Sequence, residues 1–267
     1  MQARFATIAS GSSGNCAYAG LGGEHFLIDA GISGKRILTG INHFQIPSLS
    51  GILITHEHGD HVRGLGIVAR RLRVPVYATP LTWRYLLRHD KIGPMPEGLI
   101  HEIEPGKTCN IGNVAITAFD IPHDASQPVG YTLQAGGNKI AVATDLGQAT
   151  DTVKQHLRDA QVIYIESNHD IEMVRNGRYH YHLKERVLGN RGHLSNVAAG
   201  VLLSEICGGL AAHKRPYVLL AHLSEENNRP MLAYDTVLRV LDGNDVKVAK
   251  LAVAERHEPG EMIELGG

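Results

Sequence analysis

The chain has 267 residues and is 43% hydrophobic, so it can bury a sizeable core, and we expect one domain spanning residues 1–267. The 26 Lys and Arg residues nearly balance the 27 Asp and Glu residues, which excludes a globally basic binder of nucleic acid. Contacts with nucleic acid would therefore depend on local patches of basic side chains. The chain also holds 16 His, the commonest metal ligand in proteins.

Cysteine usage and the amino-terminal sequence indicate the compartment. Three widely spaced cysteines without a CxxC pair favour a reducing compartment over a disulfide scaffold. The stretch MQARFATIASGSSGN lacks the apolar core of a signal peptide, and no window approaches the roughly 18 apolar residues of a membrane span. We therefore predict a cytoplasmic protein without a membrane partner, and the sequence leaves its oligomeric state open.

Short apolar runs alternate with stretches of helical periodicity along the whole chain. The runs bounded by Gly, Pro, Asp or Asn predict strands over 26–28, 52–54, 74–78, 114–119, 140–143, 162–165 and 217–221. Helical spacing predicts helices over 62–72, 80–89, 150–159, 194–207 and 230–241. Ser195 is the predicted N-cap of the fourth helix. Because strands recur before helices, we predict an α/β fold with mixed sheets.

Residues 171–193 form a basic segment, IEMVRNGRYHYHLKERVLGNRGH, which contains five Arg or Lys residues but only two Glu residues. Tyrosines and histidines lie among these charges. The segment can bind the phosphates of a nucleic acid electrostatically. A solvated face of a helix or hairpin would have the same composition.

The motif THEHGDH, residues 55–61, follows a short apolar strand. Residues two apart in an extended segment point the same way, so His56 and His58 can reach one metal ion together. Asp60 and His61 fall where the chain turns into a helix and can face a second metal, with Gly59 relieving the turn. Burying this many polar groups without a cation would be costly. The motif therefore predicts a metal centre.

Four other predicted strands are followed by an Asp or a His residue. These residues are Asp29, His123, Asp145 and His222. One such histidine is usually a hydrogen-bonded structural residue, but four strand ends of this kind beside HxHxDH favour additional ligands from the same edge of the fold.

These motifs, in this order, resemble those of the metallo-β-lactamase superfamily. The resemblance implies an αββα sandwich of two mixed β-sheets flanked by helices. It also implies two divalent metal ions, zinc or manganese, since the ligand set has nitrogen and oxygen atoms but no thiolate. The implied ligands are His56, His58 and His123 for the first metal and Asp60, His61 and His222 for the second, with Asp145 bridging both. Asp29 is implied to orient the ligand loop.

A narrower resemblance connects the chain with the YycJ/WalJ group of this superfamily. The matching stretches are IASGSSGNC, THEHGDH, PHDASQPVGY, ATDLG, IESNHD, GHLSN and LSEENN. This resemblance implies a nuclease that acts on DNA as a 5′-to-3′ exonuclease. Two such metals can hold a bridging hydroxide and clamp a phosphodiester. The residues themselves indicate a dinuclear hydrolase, whereas the DNA substrate comes from the resemblance.

Catalytic and substrate-binding roles follow from the remaining motifs. We count Asp60 and His193 as catalytic, with His193, directly before a predicted helix, as the general acid for the leaving alkoxide. The loop SGSSGN can offer backbone N–H groups and hydroxyls to phosphate, which makes Ser12, Ser13 and Asn15 candidate contacts. Two more candidates follow the strand 162–165. They are Asn168 and His169.

Two other classes of function fit the same motifs. The first is a hydrolase of a small molecule, namely a cyclic phosphodiester, a thioester or a lactam. The absence of a Cys ligand counts against the lactam. The second is a metal-stabilised scaffold or regulatory partner without activity. Structural metal sites are usually closed by four protein ligands, whereas two metals sharing seven ligands keep open positions, which favours catalysis.

Overall fold

A computed structural model describes residues 3–266 of the chain. The strands in this range are β1 (Ala3–Ala9), β2 (Cys16–Leu21), β3 (Glu24–Ile28), β4 (Gly51–Leu53), β5 (Val76–Ala78), β6 (Ile100–Glu102), β7 (Thr108–Ile111), β8 (Val114–Asp120), β9 (Val129–Ala135), β10 (Asn138–Ala143), β11 (Val162–Glu166), β12 (Tyr217–Ala221), β13 (Lys250–Val253) and β14 (Ile263–Leu265). The α-helices are α1 (Gly34–His43), α2 (Gly59–Val62), α3 (Leu65–Leu72), α4 (Pro80–Arg88), α5 (Asp151–Leu157), α6 (Ile171–Asn176), α7 (Tyr181–Leu188), α8 (Asn196–Cys207) and α9 (Pro230–Gly243).

The strands form two sheets of seven strands each, in the orders β14-β1-β2-β3-β4-β5-β6 and β13-β12-β11-β10-β9-β8-β7. In the first sheet, β3 to β6 are parallel and the remaining pairs are antiparallel. In the second, β10 to β13 are parallel and β7 to β10 are antiparallel. Both sheets are therefore mixed, as predicted.

The core has three layers because successive side chains of a strand point to opposite faces. Along β11, Val162 and Tyr164 pack between the two sheets, whereas Ile163 and Ile165 pack under the helices α5, α8 and α9. The outer face of the first sheet packs in the same way against α1, α3 and α4. Strands covered on both faces are apolar throughout, which explains the continuous run VIYI. The predicted αββα sandwich is confirmed.

The seven predicted strands all coincide with observed strands to within two residues, but seven others escaped prediction. Of these seven, β1 and β2 contain several alanines, β6, β7, β13 and β14 are short and partly exposed, and β9 is a longer, largely buried strand. The predicted helix 62–72 corresponds to α3, which begins later, at Leu65, because α2 ends at Val62 and Arg63 and Gly64 form a turn between the two helices. Ser195 is the N-cap of α8 and accepts from the N–H of Ala198, as predicted. In residues 3–266, no helix has both the length and the apolar character that crossing a membrane requires.

The parallel strands place the predicted ligands at one edge of the sandwich. Asp29 directly follows β3, and the THEHGDH motif lies just beyond β4, next to β3 in the first sheet. Asp145 and His222 follow β10 and β12, which flank β11 in the second sheet. Neighbouring parallel strands end at the same edge of a sheet, so each sheet contributes its ligands to one rim, where binding sites of α/β folds commonly lie.

Candidate metal centre

Two groups of side chains converge at this rim. The first group is His56, His58 and His123, whose potential ligand atoms all lie within 4.8 Å of one another. Within it, His58 Nδ1 is 3.3 Å from His123 Nε2. The second group is Asp60, His61 and His222, which satisfies the same limit.

Asp145 lies between the two groups. Its Oδ2 is 3.1 Å from His61 Nε2, in the second group. Its Oδ1 is 3.6 Å from His123 Nε2, in the first group, and 3.5 Å from His222 Nε2. The structure thus brings together all seven side chains that were predicted as ligands. Their role as ligands remains a prediction.

The donor set fits divalent cations. His56 Nε2 and Asp145 Oδ2 are buried and have no hydrogen-bond partner among the described residues. Asp145 Oδ2 lies only 3.1 Å from His61 Nε2, so one cation could be bound by both atoms. Unpaired buried polar atoms cost free energy, and a divalent metal would satisfy both. Imidazole and carboxylate ligands suit zinc and manganese alike.

Sharp backbone turns direct Asp29 and two of the predicted ligands, Asp145 and His222, toward the rim. Asp29, Asp145 and His222 have φ of 61°, 58° and 53°, each just beyond the end of a strand. Left-handed conformations are uncommon for residues other than glycine and persist where the surrounding structure enforces them. His58 is the extended N-cap of α2, so the motif changes from strand to helix between its two pairs of ligands. Gly59 has no positive φ, so the prediction that it relieves the turn between the two pairs is wrong.

Asp29 is hydrogen-bonded to the second group through His61. Its Oδ2 is 2.7 Å from His61 Nδ1, and its Oδ1 accepts from the backbone N–H of Thr55 at 2.9 Å. Donation from Nδ1–H to this carboxylate fixes the tautomer of the ring and leaves the lone pair of Nε2 on the side of Asp60 and Asp145. Asp29 therefore lies where an orienting residue is required.

Charges in the second group are strongly coupled. Burial would lower the pKa of His61, but Asp29 and Asp145 outweigh it and raise the pKa well above its usual range. Burial likewise opposes the charged form of His222, yet Asp145, Asp60 and Glu166 together outweigh it and raise the pKa to about 10. Burial would raise the pKa of Asp60, but His61 outweighs it and holds the pKa below its usual range. Without a metal, these acids are therefore neutralised by imidazolium groups.

Glu166, the last residue of β11, is a site residue that sequence reasoning did not assign. It is fully buried, and its Oε1 is 2.9 Å from His193 Nδ1 and 2.8 Å from His222 Nδ1. Burial would raise its pKa, but His193 outweighs burial and lowers the pKa to about 2. The sequence did contain a signal for this residue, namely a glutamate at the end of an otherwise apolar strand, VIYIE. Glu166 couples the second group to His193.

His193 lies at the rim with 13% of its side chain exposed. Its ring centroid is 5.3 Å from that of His123 and 5.4 Å from that of His222. Burial would lower its pKa, but Glu166 and Asp145 outweigh it and raise the pKa. Because Nδ1 faces Glu166, Nε2 is the atom that can transfer a proton.

The predicted substrate contacts differ in accessibility. Ser12 is exposed and Ser13 is half-buried, in the loop between β1 and β2, and no described residue bonds to either hydroxyl. Asn15 is buried, and its amide group faces His61 Nε2 at 3.2 Å. Asn168 is also buried and donates to the backbone oxygen of His222 at 2.8 Å. His169 is 1% exposed, and burial lowers its pKa to about 4. Only the two serines present accessible polar groups.

Comparison with known proteins identifies the class. The chain matches the family model of the beta-lactamase superfamily domain over residues 24–206, more than half its length, and it belongs to that superfamily. The metallo-beta-lactamase fold protein YhfI from Bacillus subtilis has a TM-score of 0.70 at 16% identity and covers 98% of this chain and 99% of its own. At this identity the likeness shows the fold alone.

The curated relatives identify the group within the superfamily. Exodeoxyribonuclease YycJ of Bacillus anthracis is 37% identical over 244 residues, which cover 91% of this chain and 90% of that protein. Exodeoxyribonuclease WalJ of Streptococcus pneumoniae is 36% identical over 248 residues, 92% of this chain and 90% of that protein. The chain belongs to the YycJ/WalJ group and is a metal-dependent hydrolase that uses divalent metal ions.

Proposed function

We propose that the chain is a dinuclear-metal phosphodiesterase that hydrolyses DNA as a 5′-to-3′ exonuclease and works as a single domain spanning residues 1–267. The observation that carries the proposal is the position of Asp145 between two groups of three potential ligands. Such an arrangement suits a pair of metals that share one carboxylate. The exodeoxyribonuclease names of the relatives support DNA as the substrate.

His56, His58 and His123 would hold one metal, Asp60, His61 and His222 the other, and Asp145 would bind both. Zinc and manganese both fit this donor set. Bound metals of this kind lower the pKa of water to about 7 and neutralise charge on a phosphodiester.

The chain itself supplies the proton for the leaving group. Glu166 raises the pKa of His193 and fixes Nδ1, so the proton on Nε2 is available to the departing alkoxide. Glu166 also accepts a hydrogen bond from His222 Nδ1. One buried carboxylate therefore positions both the general acid, His193, and the proposed metal ligand, His222.

Basic side chains flank the rim on the side of α6 and α7. Arg186 donates to Asp124 at 2.5 Å through Nε, and Asp124 lies next to His123. Arg175 is exposed but paired with Glu172 at 2.9 Å, so its charge is partly neutralised. We assign the helices α6 and α7 to the binding of the DNA backbone, with Arg186 held beside His123 by Asp124.

A cleavage assay with DNA labelled at either end tests the proposal. Metal-loaded wild type is incubated with 5′-labelled and 3′-labelled DNA, with bis-p-nitrophenyl phosphate and with a lactam chromophore. We expect immediate release of the labelled 5′ nucleotide and gradual shortening of the 3′-labelled strand. His58→Ala should lose metal and activity, whereas His213→Ala, an exposed residue before β12 at the opposite end of that strand, should keep both.

Other outcomes would decide against parts of the proposal. Turnover of the chromogenic diester without DNA cleavage would make the chain a small-molecule phosphodiesterase. Turnover of the lactam alone would exclude a phosphodiesterase. Immediate release of the 3′ label would reverse the polarity.

A further inference from the structure

The loop between β1 and β2, residues 10–15, is fastened to the second ligand group. Ser10 Oγ accepts from the backbone N–H of His222 at 3.0 Å. The backbone N–H of Asn15 donates to the carbonyl of Asp60 at 2.8 Å. A ligand bound to this loop would therefore lie directly beside the metal centre.

Two arginines from distant parts of the chain meet at this loop. Arg63, which follows α2, donates through Nη1 to the carbonyl of Ser13 at 3.3 Å. Arg256, beyond β13, packs against Gly11, where an added Cβ would lie 3.0 Å from its Nη1. The absence of a side chain at Gly11 therefore lets the guanidinium approach the backbone of the loop.

The polar groups of this cluster are not satisfied within the described part of the protein. Arg256 Nη1 is buried and has no hydrogen-bond partner there. The hydroxyls of Ser12 and Ser13 have no partner among those residues either. A buried cationic donor without an acceptor costs free energy, which an anion at the loop would recover. Four donors around one loop favour a tetrahedral oxyanion.

The positive charge of this cluster is not part of a broad basic surface. Glu255 and Glu258 flank Arg256 on the same segment and are exposed. Their charges oppose a general attraction for polyanions, so the site would bind one phosphate by direct contact rather than by a broad basic surface.

We propose that Arg63 and Arg256, together with Ser12 and Ser13, bind the phosphate adjacent to the scissile one. This inference rests on the proposed phosphodiesterase function. The second phosphate would fix the position of the strand across the metal centre. It also explains why the serine-rich loop is joined to two residues of the ligand group.

Dinucleotides that differ by one terminal phosphate test this site. The parent dinucleotide carries only the scissile phosphodiester, and two derivatives add a 5′ or a 3′ phosphate. We expect wild type to prefer one derivative over the parent by about tenfold or more in kcat/KM, as for a hydrogen bond to a charged group. Which derivative is preferred identifies the neighbour that the site binds. Arg256→Gln and Arg63→Gln should each reduce the preference toward one.

The matched control is Arg215→Gln, since Arg215 precedes β12 at the end of the strand away from His222 and also has a buried nitrogen without a partner. This variant should keep the wild-type preference. The ratio of kcat/KM within each variant cancels changes in metal content or stability. A wild type without preference, or a preference that survives in both test variants, would overturn the inference.

A binding measurement separates this inference from the proposed function. Anisotropy of a fluorescein-labelled single-stranded oligothymidylate is measured with metal-free protein in chelator, where no cleavage occurs. Arg256→Gln should weaken binding and lower the slope of log affinity against log salt by about 0.7, the value for one lost phosphate contact on a single strand. If wild type cleaves no DNA while this loss is seen, the exonuclease proposal fails and the phosphate site stands. Unchanged affinity and slope would refute the site.

Discussion

Gly31→Ala is the substitution that most directly links backbone packing to the metal centre. Gly31 donates its N–H to the carbonyl of Asn15 at 2.7 Å and lies directly under the backbone of Asp60. A Cβ added to Gly31 would lie 1.5 Å from the carbonyl oxygen of Asp60 and 2.7 Å from the backbone nitrogen of His61. Since real contacts of this kind are not shorter than 3.0 Å, the two segments must separate by about 1.5 Å.

A displacement of this size is large compared with the tolerance of a metal site. Ligand distances are fixed to about 0.2 Å, so Asp60 and His61 can no longer serve the same ion. Loss of an orienting contact alone costs about 10–100-fold in metal affinity, and we expect a loss of at least 100-fold for the second metal. Overpacking should also reduce the free energy of unfolding by about 1–3 kcal/mol.

Calorimetric titration of metal into chelator-treated protein measures this loss. Gly59→Ala is the matched control, because Gly59 lies between His58 and Asp60 and an added Cβ meets nothing within 4 Å. The control should bind both metals as wild type does. Wild-type affinity for both metals in a folded Gly31→Ala variant would refute the packing argument.

Three further predictions concern the buried charges. Glu166→Gln should cut turnover by about 10²-fold or more and move the alkaline limb of the kcat profile to lower pH, because Glu166 raises the pKa of His193; an unmoved limb would contradict this. In metal-free protein the pKa of His222 is raised from 6.5 to about 10, so its contribution to stability is complete below pH 6.5 and is lost as pH rises through 10. Metal must displace that proton, so binding should release protons at neutral pH and tighten as pH rises, which calorimetry in buffers of different ionisation enthalpy detects; zero proton release would exclude the coupling. Asp29→Asn should weaken metal binding by about 10–100-fold with an unchanged circular dichroism spectrum, since the amide no longer holds His61 by charge; equal affinity would show that Asp29 does not orient the ligand.

The sequence predicted the central strands and their ends because those strands are buried on both faces. The apolar runs that end at Asp29, Asp145 and His222 are local signals, and parallel pairing brings their ends to one edge. Strands such as β1 and β7 escaped prediction because small or exposed residues form them only when neighbouring strands supply partners.

Long-range contacts account for what sequence patterns missed at the site. Gly59 was predicted to relieve the turn, but the glycine that packing requires is Gly31, which meets the motif from a distant position in the chain. In the same way, Asn15 was predicted to contact phosphate, whereas its side chain faces the ring of His61. Glu166 ends an apolar strand, but its contact with His222 follows only from the pairing of β11 with β12.

Anomalous diffraction from crystals grown with manganese or zinc tests the central claim most directly. Two peaks are expected, one bounded by His56, His58 and His123 and the other by Asp60, His61 and His222, with Asp145 reaching both. A single peak, or peaks away from these residues, would contradict the dinuclear centre.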